Sequence, residues 1–165
     1  MDNGVFSSSP LYGKKILGIC SSQKRCLFLT EEGDVYGLGK HGAVFNNTEY
    51  TTPTKVAALF NIKDIVTTQG YSLFLDNDGT LHSYGTGIPD LGDGSDSNED
   101  SITIFSIMYA SGPIHNFSSA SPSHIGACVL IITDDGGIYR YGVKTTGHFG
   151  KGEAVDVTKT SLMAL

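Results

Sequence analysis

The residues best equipped for chemistry lie close together in one acidic stretch: Asp90, Asp93, Asp96, Glu99 and Asp100. Such a cluster offers hard oxygen ligands to a divalent cation, or a negative surface to a basic partner loop. A solvated loop accounts for the same residues. The functional reading carried forward is partner binding, with no metal assigned. Upstream, Asp76-Asn77-Asp78-Gly79 has the opening of a calcium loop but lacks the later bidentate glutamate, and a hairpin turn explains it fully. The histidines His41, His82, His115, His124 and His148 show no paired metal spacing. No nucleophile elbow, P-loop or His-Glu-x-x-His motif occurs, and the glycine-rich Gly147–Gly152 has no strand-to-helix context for a phosphate. Cys20, Cys26 and Cys128 are odd in number, fit no zinc ligand set, and each lies in an apolar run. They are read as buried free thiols of a reducing compartment. Cys20 and Cys26 are placed to meet across a hairpin, without a disulfide being assigned. No catalytic constellation assembles, so the expectation is a protein that is not an enzyme and holds no cofactor or metal.

The elements that must position these residues repeat. TEEGDVYGLG (Thr30–Gly39), DNDGTLHSYG (Asp76–Gly85) and TDDGGIYRYG (Thr133–Gly142) share one pattern. In each, a turn glycine (Gly33, Gly79, Gly136) precedes a second glycine (Gly39, Gly85, Gly142) by six residues. An apolar run, CLFLT, SLFLD or CVLIIT, comes just before each turn. A β-rich run, an acidic residue with a glycine, and a second β-rich run spell a hairpin, because glycine supplies the positive φ of a tight turn. The second glycine marks where a strand stops or two backbones approach closely. The turn glycines are 46 and 57 residues apart, a period suited to four-stranded units plus loop insertions. The apolar runs are continuous rather than alternating, as for an inner strand covered on both faces by neighbours.

The 165 residues suffice for a substantial core. The net charge of -6 is unevenly spread: no Lys or Arg occurs between Lys63 and Arg140, an interval holding ten Asp or Glu. That negative field suits neither nucleic-acid phosphates nor anionic lipid, so no direct nucleic-acid or membrane partner is expected. The N-terminus lacks the regions of a signal peptide, and the longest apolar run, ACVLII, is too short to span a bilayer. A soluble intracellular protein, cytoplasmic or nuclear, is the expectation.

Along the chain, residues 1–15 read as an N-terminal arm or the remnant of a preceding unit. Three units follow, 16–60, 62–109 and 114–165. In the first, strands are predicted at Ile16–Cys20, Cys26–Thr30 and Asp34–Leu38. A loop over Lys40–Thr52 and an outer strand from Pro53 to Leu59 complete it. KVAALFNIKDI taken alone has helical spacing at Val56, Leu59, Phe60 and Lys63, but the repeat argues for strand and turn. The second unit has strands at Ile62–Thr68, Ser72–Leu75 and Thr80–Tyr84, an acidic loop, and an outer strand at Ile102–Tyr109. The third has Ile114–Ser118, Ala127–Thr133 and Gly137–Tyr141, with an outer strand at Ser161–Leu165.

The motif resembles the repeat of the regulator of chromosome condensation family: an apolar strand, T-x-D-G-x-V-Y-x-W-G-x-N-x-x-G-Q-L-G-x-G, then P-x-x-V. The third copy matches at Gly136, Gly142, Gly147, Gly150 and Gly152, with Phe149 at the leucine position. The second keeps Leu91-Gly92-Asp93-Gly94 one residue early, and the first keeps Pro53 and Val56. The family's His column holds Arg25, Tyr71 and Cys128 here, and its Trp column Leu38, Tyr84 and Tyr141. The resemblance implies an all-β fold, a partial β-propeller of about three four-stranded antiparallel blades. It implies a protein-protein interaction module or scaffold. The alternatives are a guanine nucleotide exchange factor-like regulator of a Ran-type small GTPase, or a degenerate or truncated repeat protein without independent activity. An open arc would expose blade faces, so self-association to complete the propeller is a further expectation.

Overall fold

The computed structural model describes residues 8–40, 49–68, 71–85, 102–105, 113–120, 128–142 and 161–162. The acidic cluster Asp90, Asp93, Asp96, Glu99 and Asp100 lies outside the described residues. Twelve strands are described: β1 (Ile16–Ser22), β2 (Arg25–Thr30), β3 (Val35–Lys40), β4 (Glu49–Lys55), β5 (Ile62–Thr67), β6 (Tyr71–Asp76), β7 (Leu81–Gly85), β8 (Ile102–Phe105), β9 (Ile114–Ala120), β10 (Cys128–Thr133), β11 (Ile138–Gly142) and β12 (Ser161–Leu162). They form three four-stranded antiparallel sheets, β1–β4, β5–β8 and β9–β12, each in simple sequence order. The protein is all-β, and its sheets are the blades of a partial propeller. Among the described residues no helix is long and apolar enough to cross a membrane.

The three central hairpins share one register. Leu29 pairs with Val35, Leu75 with Leu81 and Ile132 with Ile138 beside the turns. Arg25 pairs with Gly39, Tyr71 with Gly85 and Cys128 with Gly142 at the far ends. Each turn is closed the same way. The N–H groups of Gly33, Gly79 and Gly136 donate to the carbonyls of Thr30, Asp76 and Thr133, at 3.0, 3.2 and 2.9 Å. Those three residues in turn donate their N–H to Asp34, Thr80 and Gly137. A β-turn followed by a left-handed residue gives this three-residue hairpin loop, and the glycines hold φ of 77°, 82° and 85°. Each first strand also slips register near its start, at Ile16/Gly18, at Ile62/Asp64 and opposite Ile132/Thr133.

Blades are joined by a repeated backbone clasp. The Gly33 carbonyl accepts the N–H of Ile62, and the Gly79 carbonyl that of Ile114, both at 3.0 Å. Each turn of one blade is thereby bonded to the first strand of the next. Two apolar clusters fill the seams. Leu27, Leu29 and Val35 of blade one meet Ile62, Ile65 and Phe74 of blade two. Tyr71, Leu73, Leu75 and Leu81 of blade two meet Ile114, Phe117, Val129 and Ile131 of blade three. β6 is buried along its whole length, because alternate side chains enter opposite seams. Arg25 adds a polar tie at the first seam. Its Nε donates to Thr67 Oγ1 at 2.8 Å, and its guanidinium also reaches the carbonyls of Thr68 and Tyr71. Burial pushes the guanidinium down to about 10, so Arg25 keeps its charge at neutral pH.

Two local expectations are corrected, and one, the strand-and-turn reading of KVAALFNIKDI, holds. The outer strand of blade one spans Glu49–Lys55, rather than Pro53–Leu59. Val56 donates to the Val35 carbonyl and Leu59 to that of Val56, so the chain turns inward there and buries both side chains. The stretch KVAALFNIKDI accordingly contains strand end, turn and strand start, and no helix. Cys20 and Cys26 do not face one another: Cys20 pairs with Leu27 on the face toward blade two, and Cys26 occupies the opposite face of the sheet.

Cys20 and Cys26 are both free thiols. Burial pushes the Cys20 thiol from 9.0 up to about 12; Asp64 adds to the rise, while a hydrogen bond from the Thr67 backbone and the Arg25 charge oppose it. Because the folded value lies above the unfolded one, the neutral thiol favours the fold fully below pH 9.0, and that contribution is lost as pH climbs toward about 12. Iodoacetamide at mildly alkaline pH should therefore label Cys20 slowly in the native protein and at least tenfold faster in urea, since only the thiolate attacks. Cys20 and Cys26 are half-buried rather than buried as expected; peptide mass mapping over time reads the difference directly, and equal rates in both states would contradict the packing of Cys20 against blade two.

Candidate interaction surface

Position 76 sets the second turn apart from the other two. Thr30 and Thr133 occupy this place in blades one and three, and Tyr36 and Tyr139 occupy the place of His82. In blade one the Thr30 hydroxyl accepts the Asp34 N–H, and in blade three the Thr133 hydroxyl donates to Asp135 and Gly137. In blade two Asp76 takes over. Its Oδ1 accepts the N–H groups of Asp78 and Thr80 at 3.0 and 2.7 Å, which pins the turn. Its Oδ2 lies 2.9 Å from His82 Nε2, across the hairpin. Asp76 and His82 are largely buried together.

The linker from β4 to β5 lies against this turn. Asn61 is the one described residue other than glycine with positive φ, at 59°. Asparagine tolerates that region because its side chain bonds locally. Here the Asn61 carbonyl accepts the Asn77 backbone N–H at 2.9 Å and the Asn77 side-chain amide at 3.0 Å. Asn61 Oδ1 accepts the same amide at 2.9 Å, and Asn61 Nδ2 donates to Asp78 Oδ2 at 3.2 Å. The polar lattice locks the linker, and the preceding residue, Phe60, is held outward with 74% of its surface exposed. Ala58, Leu59, Phe60, Asn61, Ile62, Asp76, Asp78 and His82 line a shallow cleft there.

The chemistry open to this cleft is recognition. A His–Asp pair could orient a base, but no hydroxyl, thiol or amine nucleophile stands among the lining residues. No group of three His, Cys, Asp or Glu able to hold a metal occurs among the described residues. What remains is an exposed aromatic on a rigid base, beside two carboxylates. That combination suits a protein partner, for which aromatic anchors carry much of the binding energy.

The sequence reading placed its partner-binding residues in the 90–100 loop, outside the described residues, and did not single out Phe60, Asn61 or the Asp76–His82 pair. The signal for the pair was present: Asp and His replace Thr and Tyr at matching places in one copy of three. Exposure of Phe60 had no signature, because a turn aromatic next to apolar neighbours reads equally as core.

Known proteins resemble this architecture closely. The crystal structure of human WBSCR16 superposes with a TM-score of 0.72, at 16% identity, over 92% of this chain and 38% of that one. The structure of Prp20p from Saccharomyces cerevisiae, described with its binding properties to Gsp1p and histones, matches with a TM-score of 0.66 at 17% identity, over 94% of this chain and 40% of that one. A structure of Kap60 bound to yeast RCC1 (Prp20) matches at 0.61 with 18% identity, over 79% of this chain and 30% of that one. The chain thus spans about two fifths of the length of the first two. No family model matches the sequence.

Proposed function

Starting from a chain whose blades fold as those of RCC1-type propellers, we infer that it is a protein-protein interaction module, without catalytic activity, that receives a basic protein partner. The observation that carries this reading is Phe60, exposed and fixed on the Asn61–Asn77–Asp78 lattice at the seam of blades one and two. Charge supports it: from Asp64 to Asp135 the chain carries acidic residues and no Lys or Arg. A basic surface would be drawn to that field before apolar contact forms. The acidic residues Asp90, Asp93, Asp96, Glu99 and Asp100 extend the same field along the sequence. The histones and Gsp1p in the description of Prp20p give two partner classes to try, one basic and one a protein that tests the exchange-factor reading. Intracellular location, cytoplasmic or nuclear, belongs to the same proposal.

The test uses one preparation and two assays. Titration with histone should show binding that weakens with salt. Phe60→Ser should reduce affinity about tenfold, the scale of one anchor residue. Reversal of Asp93 and Asp96 to lysine should do likewise; unchanged binding would remove the loop from the interface. Nucleotide release from a Ran-type GTPase should proceed at its intrinsic rate in the presence of the chain. Acceleration would replace this reading by the exchange-factor one.

A further inference from the structure

Two copies of the central turn close on an uncharged side chain, and the third closes on a carboxylate. Thr30 and Thr133 stand where blade two has Asp76, and their hydroxyls serve the same turns. The turn therefore has no need of a charge. Asp76 is nonetheless only 9% exposed, and withdrawing a carboxylate from water costs free energy unless partners return it. Tyr36 and Tyr139, at the place of His82, likewise show that this hairpin folds without an imidazole. The exchange of Thr and Tyr for Asp and His falls where the turn borders the Phe60 cleft.

The groups lining that cleft keep hydrogen-bond acceptors in hand. Asp78 commits Oδ2 to Asn61 Nδ2 at 3.2 Å, and its Oδ1 has no donor among the described residues. Asp76 Oδ2 takes the His82 Nε2–H at 2.9 Å and keeps a second lone pair. That bond holds a proton on Nε2, so neutral His82 offers Nδ1 as an acceptor. Lys63 donates to the Ile114 carbonyl at 3.2 Å and Lys55 pairs with Asp34 at 2.7 Å, so neither lysine flanking the linker neutralises the cleft. Carboxylates and acceptors beside an exposed aromatic ring fit a planar cation. An ammonium is a strongly hydrated point charge, whereas a guanidinium stacks on a ring and donates from its edge to several acceptors at once. Resting on the interaction-module reading, we propose that this cleft is an arginine pocket. It takes one arginine of the basic partner, with the guanidinium face on Phe60 and the edge N–H groups donating to Asp78 Oδ1, Asp76 Oδ2 and His82 Nδ1. The Asn61–Asn77–Asp78 lattice fixes the turn and the linker relative to one another before the partner arrives.

Nuclear magnetic resonance of the full chain, titrated with capped glycine-serine peptides carrying one arginine, lysine or citrulline, reads the pocket without a variant. The arginine peptide should shift the Asn61 and Asn77 side-chain amides and the His82 ring saturably. The lysine peptide should bind about fivefold more weakly, and the uncharged citrulline peptide should leave those signals in place. No saturable response to arginine, an equal response to lysine, or a response to citrulline would each overturn the proposal. The double change Asp76→Thr with His82→Tyr installs the pair that blades one and three already carry, so the turn keeps a way to close. It should lower affinity for the arginine peptide and for histone about tenfold, with an unchanged strand signal by circular dichroism. Retained affinity would overturn the pocket. Asp78→Asn keeps an oxygen for Asn61 and removes the charge; it should cost about fivefold, and it decides the matter if the double variant does not fold. Histone binding that falls with Phe60→Ser but not with the Asp76 and His82 exchange would leave the interaction module standing without its arginine pocket. Histone binding indifferent to Phe60→Ser would remove both readings.

Discussion

Gly79→Ala is expected to lower stability by about 3–4 kcal/mol, and Gly136→Ala, at the same place in the same turn, by about 1–2 kcal/mol. Both residues hold left-handed backbone, so both variants carry the cost of a Cβ crowded against its own carbonyl. They differ in what lies outside. At Gly79 the new carbon would stand 2.3 Å from Pro113 Cβ and 2.8 Å from the Ile114 nitrogen. Neither atom is the loose end of a side chain, and the Ile114 nitrogen is the donor of the clasp to the Gly79 carbonyl. Relief therefore means moving blade three away from blade two. At Gly136 the carbon enters open space. Urea denaturation of dilute protein measures both, with Gly33→Ala in between, since its nearest contact is 3.0 Å. Equal losses at the three sites would mean that turn strain alone matters and that the clasp contributes nothing to stability.

That comparison also marks where sequence reasoning stops. The hairpins were legible because the requirement is local: a glycine after two polar residues, flanked by β-rich runs, permits few other conformations. The continuous apolar runs announced strands covered on both faces, and β6 is buried throughout. The bond from Ile62 to the Gly33 carbonyl had no such sign. It depends on the angle between two sheets, and any apolar residue could donate that N–H. The outer strand of blade one was shifted because Val56 and Leu59 are as apolar as strand residues while serving as inward plugs after the strand has ended. At the candidate surface, Asp76 and His82 lie six residues apart, a distance meaningless in a straight strand. Only the three-residue hairpin loop brings them to 2.9 Å. Asn61 was hidden for a related reason, since its positive φ comes from bonds to Asn77 and Asp78 across the seam rather than from its immediate neighbours.

Phe74→Ala should be the most damaging single truncation, at about 3–5 kcal/mol. Phe74 is fully buried in the seam with Leu27, Leu29, Val35, Ile62 and Ile65, and removing the ring leaves a hole bounded by two blades that cannot both move in. The informative control is Phe28→Ala, at the equivalent place in blade one. Phe28 is only partly buried and faces away from blade two, so its truncation should cost about 1–2 kcal/mol. Thermal unfolding of the two variants measures the difference, and equal losses would contradict the packing of Phe74 in the seam.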